Sequence, residues 1–99
     1  MNELNQNIDN WFYDRGIAQN GTQLGQAVKM LEEATEVFDA LSTKNEMDLI
    51  DAIGDVYVTL RGLALVSKLD FDKCVECAYY EIKDRKGYLR EDGVFVKEV

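Results

Sequence analysis

The sequence predicts an all-α protein, a four-helix bundle with a short non-helical C-terminal tail, in which residues 1–99 make one domain. Three observations carry this prediction. Proline is absent and glycines number only seven, which favours long helices over a turn-rich β fold. Apolar residues recur at three- and four-residue spacing through most of the chain. Short polar clusters that contain helix-capping residues separate the periodic stretches.

The first helix is expected from about Asn2 to Arg15, carrying Leu4, Ile8, Trp11 and Phe12, with Gly16 as its stop. Gln19-Asn20-Gly21-Thr22 reads as a turn, and Thr22 is placed to cap the next helix. The second helix spans about Gln23 to Leu41, with an apolar stripe of Leu24, Val28, Leu31, Thr35 and Phe38. Ser42-Thr43-Lys44-Asn45 breaks it, and Asn45 is the expected cap of the third. That third helix, about Glu46 to Lys68, is expected to bury Leu49, Ile53, Val56, Leu60 and Leu63. Asp70 caps the fourth, whose stripe is Phe71, Cys74, Val75, Ala78, Tyr79 and Ile82 and whose end is Gly87. Tyr79 and Tyr80, being adjacent, point to different faces, Tyr79 to the core and Tyr80 to an interface or ligand. In the tail, Glu91-Asp92-Gly93 reads as a turn and Val94-Phe95-Val96 as a short extended segment.

Charge narrows the partners. The net charge is −8 and the pI near 4.4, so bulk attraction to nucleic acid or to an anionic membrane is excluded. A polyphosphate would be repelled too unless divalent cations were bound first, which directs attention to carboxylates as metal ligands. No stretch reaches the roughly 18 apolar residues of a membrane span, and Met1 to Asp14 lacks the pattern of a secretory signal. Cys74 and Cys77 form a lone CxxC in a chain with no histidine. Four such ligands are needed for structural zinc, so core packing in a reducing cytoplasm is the expectation for both. A core this small is thin and is often completed by partner chains.

The second helix carries Glu32, Glu33 and Glu36, with Glu36 one turn from both of the others. Like charges at that spacing destabilise a bare helix by up to roughly 0.5 kcal/mol per pair, and only Lys29 offers local compensation. On the third helix Asp48, Asp51 and Asp55 fall in one narrow sector beside the apolar stripe. Two acidic strips flanking the buried faces of neighbouring helices can meet at the packing seam. A hard divalent cation there relieves their repulsion, and phosphates with water complete its shell. Ala52 and Gly54, both small, are expected to leave room for it. The plainer reading is that these acids are solvated helix faces.

Lys29-x-x-Glu32-Glu33-x-x-Glu36 followed by Asp51-Ala52-Ile53-Gly54-Asp55-Val56 resembles the all-α NTP pyrophosphohydrolases, the superfamily of MazG and the dimeric dUTPases. Their motif is ExxE, a spacer, then ExxD, four acids that bind magnesium. Trp11 with Arg15-Gly16-Ile17, the Gln26-x-x-Lys29 lead-in, and the segments Ile82 to Gly87 and Asp92 to Glu98 look like compact, phage-type MazG-like proteins. The resemblance covers nearly the whole chain. It implies Glu33, Glu36 and Asp55 as magnesium ligands, with manganese as a substitute. The family's fourth acid is Ala52 here, so Asp51, or Asp48 a turn earlier, is expected to take its place.

The resemblance also implies attack by an activated water on the α-phosphorus of a nucleoside triphosphate, releasing a monophosphate and pyrophosphate. Glu32 or Glu33 is the expected proton acceptor. Lys29, Arg85, Lys86 and Lys97 are candidates for holding the phosphates, Gln26 is a further substrate contact, and Trp11 is placed to stack on a base. A homo-oligomer, dimer or tetramer, is expected. Against this stands a different class, an inactive acidic helical protein that binds a host or partner protein, which the alanine at 52 favours. A purely structural subunit of a larger helical assembly is the third reading. Charge mimicry predicts acids spread over an outer face, whereas the enzyme reading predicts them gathered at one seam.

Overall fold

Capping decides where each helix of the bundle begins. The computed structural model describes residues 2–98. Its elements are α1 (Asn2–Asp14), α2 (Ile17–Asn20), α3 (Gln23–Thr43), α4 (Glu46–Val66), α5 (Phe71–Ile82), β1 (Gly87–Leu89) and β2 (Phe95–Lys97). The Thr22 hydroxyl accepts from the Gly25 amide at 3.0 Å, Asn45 Oδ1 from the Asp48 amide at 3.1 Å, and Asp70 Oδ1 from the Asp72 amide at 2.9 Å. Each satisfies a backbone donor that the first helical turn would otherwise leave unpaired.

Gly16 stops α1 at φ 75°, a left-handed conformation that costs glycine no steric penalty. The chain then makes one further turn, α2, inside the stretch read as a linker. Gln19 supports it by donating to the Tyr13 carbonyl at 3.2 Å, and Asn20 donates to the Gly16 carbonyl at 3.2 Å. The last helix ends at Ile82 rather than Gly87. Gly87 instead opens β1, which pairs antiparallel with β2 in the register Gly87↔Lys97, Tyr88↔Val96, Leu89↔Phe95.

α3 and α4 form the main packing unit, turning back on one another through Lys44 at φ 56°. Their contact faces are lined by small residues: Ala40 and Ala52 are buried, as are Gly62 and Ala64 further along α4. α1 and α2 close over the C-terminal half of α4, where Phe12 is 3% exposed. Burying one phenyl ring is worth about 2–3 kcal/mol. An ion pair fastens α1 to α4, with Arg61 Nε and Nη2 on the two Asp9 oxygens at 2.9 and 2.8 Å. Tyr57 adds a hydrogen bond to Asn5 Oδ1 at 2.7 Å.

The apolar stripes fare differently from the sequence expectation. On α3 the residues facing α4 are Gln26, Met30, Glu33, Val37 and Ala40, whereas Leu24, Val28, Leu31 and Phe38 are exposed. On α4 Leu49, Val56, Leu60 and Leu63 are half-buried, but Ile53 is exposed. α5 touches the bundle only near Phe71, so Cys74, Cys77, Val75, Tyr79 and Ile82 are all exposed. The cysteines and Tyr79 therefore do not pack in the core of a single chain. The helices form where the apolar spacing places them, but which face has a partner within the chain depends on helix placement. Among the described residues, no helix is long and apolar enough to cross a membrane.

Candidate active site

The carboxylates meet where α3 and α4 approach closely. One turn of α3 separates Glu33 from Glu36, and Asp55 faces them from α4; one oxygen from each of these three lies within 4.8 Å of the others. Glu33 is largely enclosed, its side chain 14% exposed, and its Oε2 is buried with no hydrogen-bond partner. A buried carboxylate oxygen without a donor is costly unless a cation or proton faces it. Three convergent carboxylates, one of which keeps an unpartnered buried oxygen, fit a magnesium-type ion.

Electrostatics agree with the geometry. Glu36 holds its proton to higher pH than an ordinary glutamate, chiefly through hydrogen bonding with Glu33 and then through their like charge. Asp55 is also raised, first by burial and then by the negative charges of Asp51 and Glu33. The Lys29 ammonium reaches Glu32 at 3.4 Å and Glu33 at 3.6 Å, and these acids raise its pKa, Glu32 most.

A cavity of about 740 Å³ opens beside the cluster. Glu33, Asp55 and Lys29 supply its charged lining, and Ile17, Asn20 and Thr22 contribute from α2 and the turn after it. Trp11, Phe12, Gln26 and Val58 line it as well. Trp11 stands edge-on to Phe12 at 5.1 Å, 43% exposed, and the Arg15 guanidinium lies over its ring at 4.3 Å from the centroid. Gly62 lets this floor close up. A Cβ there would lie 2.5 Å from Phe12 Cζ and 2.7 Å from Gln26 Oε1, so only glycine admits both side chains.

Trp11, Gln26, Lys29, Glu33 and Asp55 are thus brought together, and Glu36 joins them through the cluster. Asp51 lies beside Asp55, near enough to raise its pKa, but outside the three-acid set. With Glu36, Asp39 and Asp48 it lines an adjoining notch of about 250 Å³ against the buried Ala52. Glu32 is outward, its side chain 59% exposed and paired with Lys29. Gly54 is exposed, and a Cβ on it would meet nothing, so it makes no room at the seam; Ala52 does. Arg85, Lys86 and Lys97 gather at the root of the hairpin, lining a separate cavity. Val58 and Thr59 were missed as lining residues, although their positions three and four beyond Asp55 put them on its helix face.

Fold and site together define a small all-α bundle that concentrates carboxylates at the seam of its two longest helices, beside an aromatic cavity. The chain belongs to the phosphoribosyl-ATP pyrophosphohydrolase family, whose sequence model matches residues 1–79. This supports the all-α pyrophosphohydrolase superfamily that the acid motif resembles. The match stops within α5, short of the hairpin. Over 71 residues the chain is 34% identical to an uncharacterized 18.2 kDa protein of the rep-hol intergenic region of Haemophilus phage HP1 (strain HP1c1). That alignment takes in 71% of this chain and 43% of the phage protein, so the chain spans less than half of that relative's length. No solved structure matches.

Proposed function

We propose that the protein is a magnesium-dependent nucleotide pyrophosphohydrolase of the MazG-like, phage type, which splits a nucleoside triphosphate between its α and β phosphates. The observation that carries this is the Glu33–Glu36–Asp55 cluster beside a cavity walled by Trp11 and Phe12. Those three acids would hold the cation, with Asp51 completing the set from the adjoining turn of α4. A bound cation supplies Lewis acidity and neutralises phosphate charge. Manganese would serve in its place.

The chain's own residues account for the rest. Trp11 stacks on the base, Gln26 contacts the nucleoside, and Lys29 meets the phosphates at the acidic end. Water attacks the α-phosphorus, the bond from that phosphorus to the bridging oxygen breaks, and pyrophosphate leaves with the oxygen. The water's proton passes to a carboxylate, Glu33 or Glu32. The family's name adds phosphoribosyl-ATP to the candidate substrates beside the common ribo- and deoxyribonucleoside triphosphates. The exposed apolar faces of α3 and α5 support a homo-oligomer, dimer or tetramer, and the cytoplasm is its proposed compartment.

The test is a panel of these nucleotides incubated with magnesium, manganese or EDTA, with products separated by chromatography. Monophosphate and pyrophosphate are expected only with a divalent cation. Glu36→Gln and Asp55→Asn should each lower the rate by about 10²-fold or more, since even groups behind the ligands count for 10–100-fold at metal sites. A folded protein that cleaves nothing, and whose melting temperature no cation raises, would instead be the acidic interaction protein.

A further inference from the structure

Among the described residues, the C-terminal hairpin has no support from the helices. No Cα of either strand lies within 8 Å of a helix Cα three or more positions away. An isolated two-stranded hairpin is marginal in water. Yet this one displays large apolar side chains: Tyr88 is 62% exposed, Leu89 69% and Phe95 51%. Such a unit persists when something covers it.

Its charge says what that cover is. Lys83, Arg85, Lys86, Arg90 and Lys97 supply five of the chain's eleven cations, and residues 83–99 carry four of its nineteen acids. Arg85, Lys86 and Lys97 converge with Tyr88 and Phe95 on a cavity of about 900 Å³ at the hairpin root. Elsewhere the chain has the opposite shortage. Among the described residues, Glu36, Asp39, Asp48 and Asp51 around the notch have no ion-pair partner, and Lys29 is the one cation lining either the cavity or the notch. A triphosphate entering there adds more negative charge. The missing positive charge exists in this protein on the hairpin, which its own chain holds away from the seam.

Size and burial favour a second copy as the occupant. The radius of gyration is 15.9 Å, against about 13 Å for a compact domain of 100 residues. No side chain is fully buried among the described residues, while Leu24, Leu31 and Phe38 stand exposed along α3. An arm that reaches across to an identical chain covers apolar surface on both and obeys the reciprocity of a twofold contact.

We propose that the hairpin works in trans, docking on a second copy of this chain so that Arg85, Lys86 and Lys97 clamp the phosphates bound at that copy's carboxylate seam. The clamp rests on the proposed nucleotide chemistry; the docking does not.

Docking is tested by mixing equal amounts of ¹⁵N-labelled and unlabelled full-length protein, treating with a zero-length lysine–carboxylate cross-linker and reading the products by mass spectrometry. Mixed-isotope links from Lys86 or Lys97 to Glu36, Asp39, Asp48 or Asp51 are expected. Links confined to one isotope, or a protein that stays monomeric at every concentration by light scattering, overturn the proposal. The clamp is tested by pairing two inactive full-length variants, Glu36→Gln and the double variant Lys86→Ala/Lys97→Ala. In a randomly reassorted twofold dimer, mixing should restore about one quarter of the wild-type activity. No restoration, with mixed dimers demonstrated by the isotope links, places the clamp in cis and overturns it. Hydrolysis absent from the wild type itself would remove the enzyme reading, and the isotope experiment would still decide the docking.

Discussion

Asp55 and Glu36 show how single residues register the crowding of negative charge at the seam. Both hold their protons to higher pH than the ordinary side chain, Asp55 mainly through burial and Glu36 mainly through Glu33. Their folded pKa values exceed the unfolded ones, so the folded chain binds more protons. The resulting penalty is absent below the unfolded values, grows as pH rises and is complete above the folded values. Cation-free protein should therefore lose melting temperature as pH climbs through the carboxylate range, and Asp55→Asn should flatten that loss. Thermal melts in EDTA from about pH 4 to pH 7 check this. A pH-independent melting temperature would mean that the acids do not repel one another. The acids themselves were legible in the sequence because helical spacing alone stacks Glu33 on Glu36. Asp55 required α4 to pack at one particular rotation, and that rotation turned Gly54 outward.

At the scale of elements, the Arg61–Asp9 pair anchors α1 to α4, and so holds Trp11 and Phe12 over the cavity. The Arg61 side chain is 9% exposed and that of Asp9 18%. Hydrogen bonding to Asp9 holds the guanidinium pKa above its already high ordinary value. Its Nη1 is buried without a partner, so little compensation remains once Asp9 is removed. Asp9→Ala should destabilise the protein by about 3 kcal/mol or more, because it strands a buried charge. Adding Arg61→Met should recover much of that loss, as urea denaturation of the single and double variants would reveal. Neither residue drew notice in the sequence, where they lie 52 positions apart. The helix caps were legible, since Thr22, Asn45 and Asp70 act within three residues of themselves. The extra turn α2 was not, because its support comes from Gln19 reaching back to Tyr13 across a glycine.

The molecule as a whole carries more apolar surface than one chain can cover. Leu24 on α3 is 75% exposed and Met47 on α4 72%. An assembly that buries such faces gains stability by mass action. The melting temperature is thus expected to rise with protein concentration over the micromolar range, and differential scanning calorimetry at several concentrations would measure it. A constant value would assign these faces to solvent.

By itself the sequence determined the helical class, the caps, the apolar periods and the pairing of Glu33 with Glu36, all consequences of interactions within a turn or two of the chain. Tertiary structure alone decided which apolar stripe faces a neighbour, which aspartate joins the glutamates, and that Gly62 sits beneath Phe12 and Gln26. It also set the hairpin apart from the helices. The physical reason is that side-chain spacing fixes the faces of a helix, whereas the rotation and approach of packed helices depend on contacts between residues far apart in the chain.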